Sequence, residues 1–208
     1  FLNLWRIIMI YKNQENIPNE KYITYDQMNI INTFEKLWIR IAIWVRAYIR
    51  AYIYDTPNLS LTTSMLNDDL PSEVYDLFSI FFGTQIAETM KKLFFDFFKA
   101  IIEVVEPIKY GDEVLASSRI IKWYQVADEI SSFLAKINVY WDENQWKYLL
   151  YQYIKFKIDE INAVIQGDQE TEKKLLKELE SINFLMSNYM ARGIISLAQN
   201  PNIYRKLK

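Results

Sequence analysis

TQIAETMKKLFFDFFKAIIEVVEPIKYGD, residues 84–112, decides the fold. Its apolar residues Ile86, Met90, Leu93, Phe94, Phe97, Ile101, Val104, Val105 and Ile108 recur at the three- and four-residue spacing of one helix face. Gly111 supplies the stop, since glycine takes the left-handed backbone that ends a helix, and Asp112 supplies an oxygen to cap the next one. Thr84 reads as the N-cap of this long helix. A helix with so broad an apolar face, followed directly by another, predicts an antiparallel neighbour.

The same pattern repeats towards the C-terminus. The next helix carries Trp123, Val126, Ile130, Phe133, Leu134 and Ile137 and stops near Asn138. Asp142, with Gln145 three places on, opens a helix bearing Trp146, Leu149, Leu150, Tyr153, Ile161 and Val164, which ends at Gly167. Asp168 caps the last helix, running through Leu175, Leu179, Ile182, Met186, Tyr189 and Met190 to about Ala198, with Pro201 beyond it. The two Gly-Asp turns, Gly111-Asp112 and Gly167-Asp168, lie 56 residues apart. At that offset Phe97 meets Tyr153, Lys99 meets Lys155, Glu103 meets Asp159, Val126 meets Ile182 and Ser131 meets Ser187. The match suggests a duplicated helical hairpin.

Towards the N-terminus, Pro71 to Gly83 reads as a short helix, and Pro57 with Asn58 to Asn67 as a connection. From Phe34 to Tyr52 the positions Phe34, Leu37, Trp38, Ile41, Val45, Tyr48, Ile49 and Tyr52 make another helix face. Its far side mixes Ile39, Ile43 and Ile53 with Arg46 and Arg50, so neighbours are expected on two faces and the helix should be central. A transmembrane reading of Leu37 to Tyr54 fails on Arg40, Arg46 and Arg50, each costing roughly 2.5–3.5 kcal/mol near the centre of a span. Lys12 to Gln27 is a polar linker, and the apolar stretch Phe1 to Tyr11 is too short to cross a bilayer. That stretch is expected to pack on the domain as a helix, the alternative being the tail of a signal or anchor. The chain opens on Phe1 and not on methionine, which points to a removed upstream segment and leaves cytoplasm and cell envelope both open. The expected organisation is therefore an N-terminal segment and linker over residues 1–30 and one domain over 31–208. The fold class is all-α, an antiparallel bundle built from the duplicated hairpin plus one or two N-terminal helices.

Composition narrows function. Basic and acidic residues number 24 and 26, leaving a net charge of −2 and no general field for nucleic acid. Tyrosines interleaved with lysine, at Lys147, Tyr148, Tyr151, Lys155 and Lys157, are thus not read as a stacking surface. There is no cysteine and no histidine, so the side chains that most often ligate transition metals and shuttle protons are missing. The four glycines stand singly, giving no phosphate loop. No cofactor is expected, and an enzyme is the less favoured class. The acidic pairs Asp68-Asp69, Asp128-Glu129, Asp142-Glu143 and Asp159-Glu160 read as solvated faces, each able to turn at most one member inward. The candidate buried polar cluster is Arg46, Asp128, Glu129 and Arg192, with a carboxylate of the pair turned towards one of the arginines. Gly193, inside an apolar helical run, marks a close helix approach. The aromatic stripes are read as core.

Leu37-Trp38 with Trp44 and Arg46, Trp123-Tyr124 with Ala127-Asp128-Glu129-Ile130, Tyr140-Trp141 with Trp146, Gly167-Asp168, and Arg192-Gly193-Ile194-Ile195 together resemble an uncharacterised family of small bacterial helical proteins over roughly Phe34 to Leu197. Some of its members bear an acetylglutamate kinase label, which the missing phosphate loop does not support here. The resemblance implies histidines in relatives at the positions of Ile41, Phe97 and Tyr153, with an acidic residue before the latter two. Here Asp96 remains and Gln152 replaces the other acid. Helical phase puts Ile41, Phe97 and Tyr153 on the apolar faces of three helices, where relatives could gather a metal or proton-transfer site and this chain has packing instead. The leading expectation is a non-catalytic binding or structural protein, its partner a protein or a small apolar ligand. The alternative is a carboxylate-based metal-binding protein or enzyme with a degenerate site near Asp96, Gln152 and Tyr153.

Overall fold

A computed structural model describes residues 23–200, so the readings of Phe1 to Tyr11, of Lys12 to Tyr22 and of Pro201 lie outside the described residues. Seven α-helices follow: α1 Tyr25–Ile53, α2 Leu59–Ser64, α3 Leu70–Phe82, α4 Thr84–Tyr110, α5 Glu113–Ile137, α6 Glu143–Gln166 and α7 Gln169–Gln199. Among the described residues there is no strand, and no helix is long and apolar enough to cross a membrane.

The turns form as the sequence indicates. Gly111 and Gly167 take φ of 73° and 67°. In both turns the glycine N–H bonds back three residues, to Ile108 and Val164, and the following aspartate N–H bonds back five, to Pro107 and Ala163. This double closure satisfies the last carbonyls of α4 and α6. Asp112, Asp142 and Asp168 then accept from the backbone N–H of Leu115, Gln145 and Thr171 at 2.8–3.0 Å.

Three boundaries differ from expectation, each for a physical reason. The linker ends before Gln27: Thr24 caps α1 and Gln27 reaches back to the Thr24 N–H, a reciprocal pair hidden in a polar stretch. Residues 25–30 are thus helix rather than linker. The expected connection Asn58 to Asn67 is helical, as α2 runs through a π-helical turn, Met65–Asp69, into α3. Thr62, Leu66 and Leu70 are all buried at a four-residue interval, so a continuous inward stripe overrides the polar composition. Thr84 is not the N-cap of α4. Gly83 is, with φ 82° and ψ 173°, a backbone region reserved for glycine, which lets the chain pass from α3 to α4 through one residue.

Helices α4 to α7 pack in sequence order through short turns, each antiparallel to the last. The ring they begin is closed by α1, which packs against α7 on one side and α4 on the other, while α4 and α7 touch at most marginally. So α1 lies in the bundle and not on it. One core runs through all of these helices, rich in rings: Phe97 lies 5.6 Å from Trp123 and 5.9 Å from Tyr153, and Trp38 stacks edge-on with Phe94 at 6.2 Å.

Gly193 does mark a close approach, but by a side chain. The Trp141 indole, from the α5–α6 loop, lies where a Cβ on residue 193 would stand, and its Nε1 donates to the Tyr189 carbonyl at 3.3 Å. The Tyr189 hydroxyl accepts from the Asp142 N–H at 2.6 Å, taking the donor that Gln145 would hold in a capping box. Gly193→Ala must displace the indole, and the overpacking outweighs alanine's better helix propensity. It is expected to lower unfolding free energy by about 2 kcal/mol in urea titration and to shift tryptophan emission.

Candidate functional site

The sequence-derived candidates fall into separate places. Ile41, Phe97 and Tyr153 are all buried in the core, and the Phe97 and Tyr153 rings touch. The Tyr153 hydroxyl has no partner among the described residues, and burial, then Glu160, pushes its pKa far above the ordinary tyrosine value. Asp96 and Gln152, which precede the two rings, are only half-buried, and the Asp96 carboxylate accepts from Lys92 at 2.9 Å. Among the described residues no group of three or more Asp or Glu side chains is placed to hold a metal ion.

Of the expected cluster of Arg46, Asp128, Glu129 and Arg192, Arg46 pairs with neither Asp128 nor Glu129. Asp128 accepts from the Tyr151 hydroxyl at 2.8 Å and faces Lys147 at 3.7 Å, Glu129 is exposed, and Arg192 is half-buried on α7. Arg46 has other partners. Its Nη1 donates to Glu160 on α6 at 2.8 Å and its Nη2 to Glu172 on α7 at 2.5 Å. Arg50, one turn on, reaches the same Glu172 oxygen at 2.8 Å. Lys157 completes the knot by donating to Glu160 at 2.7 Å, both side chains fully buried. Burial lowers the Lys157 pKa, with Glu160 acting in the opposite direction.

The knot follows from helix phase. On α6 the inward ladder Leu149, Leu150, Tyr153, Ile161, Val164 lacks apolar residues over one turn, where Lys157 and Glu160 stand. Glu160 is thus the inward member of Asp159-Glu160, and Lys157 is no surface lysine. On α7 the first inward position after the Asp168 cap is Glu172. A lysine and two glutamates interrupting apolar ladders were the available signal.

Beside the knot, the seam between α1 and α7 opens into a cleft of about 550 Å³. The helices are antiparallel here, Arg46 facing Glu172 and Glu35 facing Asn188. Glu35, Trp38, Ile39, Ala42, Ile43 and Arg46 line it from α1, a rise of about 16 Å. Leu176, Leu179, Asn183 and Phe184 line it from α7, and Lys157 reaches it from α6. Ile39 and Ile43, expected under a neighbouring helix, are 57% and 56% exposed, and Phe184 is 51% exposed. Trp38 Nε1 and Asn183 Oδ1 are buried without a partner among the described residues.

No family model matches the chain, and neither a curated protein nor a solved structure matches it.

Two measurements test the knot. Glu160→Gln leaves the buried Lys157 without its counter-charge and is expected to cost about 3 kcal/mol or more in urea unfolding. The second is a pH series. Because the folded-state pKa of Lys157 lies below its ordinary 10.5, the unfolded chain binds more protons between the two values. Wild type should therefore gain stability relative to Lys157→Met as pH rises towards 10.5, and a constant difference would contradict the assignment.

Proposed function

We propose that this chain is a non-catalytic binding protein that holds a small, largely apolar molecule in the α1–α7 cleft. The observation that carries the reading is the cleft itself. Its volume, about 550 Å³, falls within the roughly 300–1,000 Å³ of small-molecule pockets. Its walls leave Ile39, Ile43 and Phe184 half uncovered, and a ligand seated there removes that apolar area from water. Two buried polar atoms without partners, on Trp38 and Asn183, add the few oriented contacts such pockets use. Concavity favours a small molecule over a flat protein surface.

The rival reading, carboxylate chemistry near Asp96, Gln152 and Tyr153, has less support. Asp96 is engaged by Lys92, and a buried phenol with a raised pKa does not ionise near neutral pH. The like geometry of the Gly111 and Gly167 turns supports reading the two hairpins as one duplicated unit.

Titration with N-phenylnaphthylamine, whose fluorescence rises in apolar surroundings, tests the site. The probe should bind, and Ala42→Trp, which fills the half-buried middle of the cleft, should weaken it about tenfold or more with the melting temperature unchanged. Equal binding by both proteins, or none by wild type, overturns the proposal.

A further inference from the structure

We propose that the molecule held in the cleft is an amphiphile with one acidic group, a long-chain monocarboxylate whose head sits at the Arg46–Lys157 end and whose chain runs along the seam towards Glu35. This rests on the reading of the cleft as a ligand site and adds the ligand's class.

The two ends of the cleft differ in chemistry. At one end stand Arg46 and Lys157, at the other Glu35, with Ile39, Ala42 and Ile43 between them on α1 and the exposed Glu180 on the α7 side. The cationic end has more donors than acceptors. Of the three ammonium N–H groups of Lys157, one is bonded to Glu160, and of the five on Arg46, two are bonded to carboxylates. A head group that meets this end must accept hydrogen bonds.

Charge narrows the class further. The knot holds three cations, Arg46, Arg50 and Lys157, against two carboxylates, Glu160 and Glu172, which leaves one positive charge in excess beside a largely apolar cleft. A neutral alcohol accepts a hydrogen bond but leaves that charge uncompensated. A single carboxylate supplies both, in the form guanidinium and ammonium groups bind most strongly. A doubly charged head exceeds the excess, and a second acid at the far end of the chain meets Glu35. The stretch between is apolar along α1, at Ile39, Ala42 and Ile43, while on α7 Leu179 and Phe184 face it beside Asn183 and an exposed Glu180, so an acyl chain lying along the seam packs on the α1 side.

The test uses the full chain and three amphiphiles with the same hydrocarbon, below their micelle concentrations: dodecanoate, dodecanol and dodecyltrimethylammonium, measured by calorimetry. Dodecanoate should bind roughly tenfold more tightly than dodecanol, the size of one charge-assisted hydrogen bond, and the ammonium compound most weakly. Lys157→Met should bring dodecanoate down to the affinity of dodecanol. Should that variant not fold, Arg50→Met removes the same excess charge from a more exposed position, leaves Glu172 its bond to Arg46, and should narrow the preference several-fold. Dodecanol binding as tightly as dodecanoate overturns the acidic head while the cleft reading stands. Binding of N-phenylnaphthylamine without any of the three overturns the ligand class, and failure of all four probes sinks both proposals. A dodecanoate preference that survives in the folded variants overturns the seat at Lys157.

Discussion

Everything in the α1–α6–α7 half of the bundle is arranged around Glu160, a carboxylate without water contact that holds Arg46 with one oxygen and Lys157 with the other. A buried charge must be paired, and here the partners come from different helices. Glu172 extends the knot to α7, so residues more than a hundred positions apart in sequence are fixed relative to one another. Sliding α1 along α7 by one turn would strand a buried carboxylate. The knot therefore sets the register of the seam and the end of the cleft at which charge is found. Its benefit is specificity of arrangement more than net stability, since desolvating these groups offsets much of their attraction.

Much of the fold is legible in the sequence because it depends on local rules. Gly111-Asp112 and Gly167-Asp168 act through the conformation of one glycine and the reach of one carboxylate, neither of which needs tertiary context. The stretch from Asn58 to Asn67 is different. Its stripe of Thr62, Leu66 and Leu70 contains a threonine whose hydroxyl bonds to the Leu59 carbonyl, and only the neighbouring helices reveal that it faces inward. The candidate site was the least legible part. Arg46 belongs to a buried cluster, but its partners were masked by composition, because Lys157 sits among exposed lysines and Glu160 beside Asp159. The cleft itself had no sequence mark: Ile39 and Ile43 look like ordinary core residues until the course of α7 leaves them half uncovered.

The centre of the bundle tells a simpler story. Ile41, Phe97 and Tyr153 lie buried where helical phase places them, and the Phe97 and Tyr153 rings touch. At these positions the protein has aromatic and aliphatic volume, and the polar remainder is one phenolic oxygen. Titratable chemistry lies elsewhere, one turn along α6 from Tyr153, where Lys157 stands 5.7 Å over the same ring. The filled centre and the charged seam are thus adjoining parts of one helix face.

The loop between α5 and α6 is more than a connection. Trp141 lies against Gly193, its indole holds the Tyr189 carbonyl, and the Tyr189 hydroxyl in turn holds the backbone of Asp142. At the opposite end the α6–α7 hairpin is closed by the Gly167 turn. A helical hairpin ordinarily frays from its open end, where the two termini separate first. Here that end is latched, so the first turn of α6 cannot peel from α7 without expelling a tryptophan, and the hairpin opens as a whole or not at all.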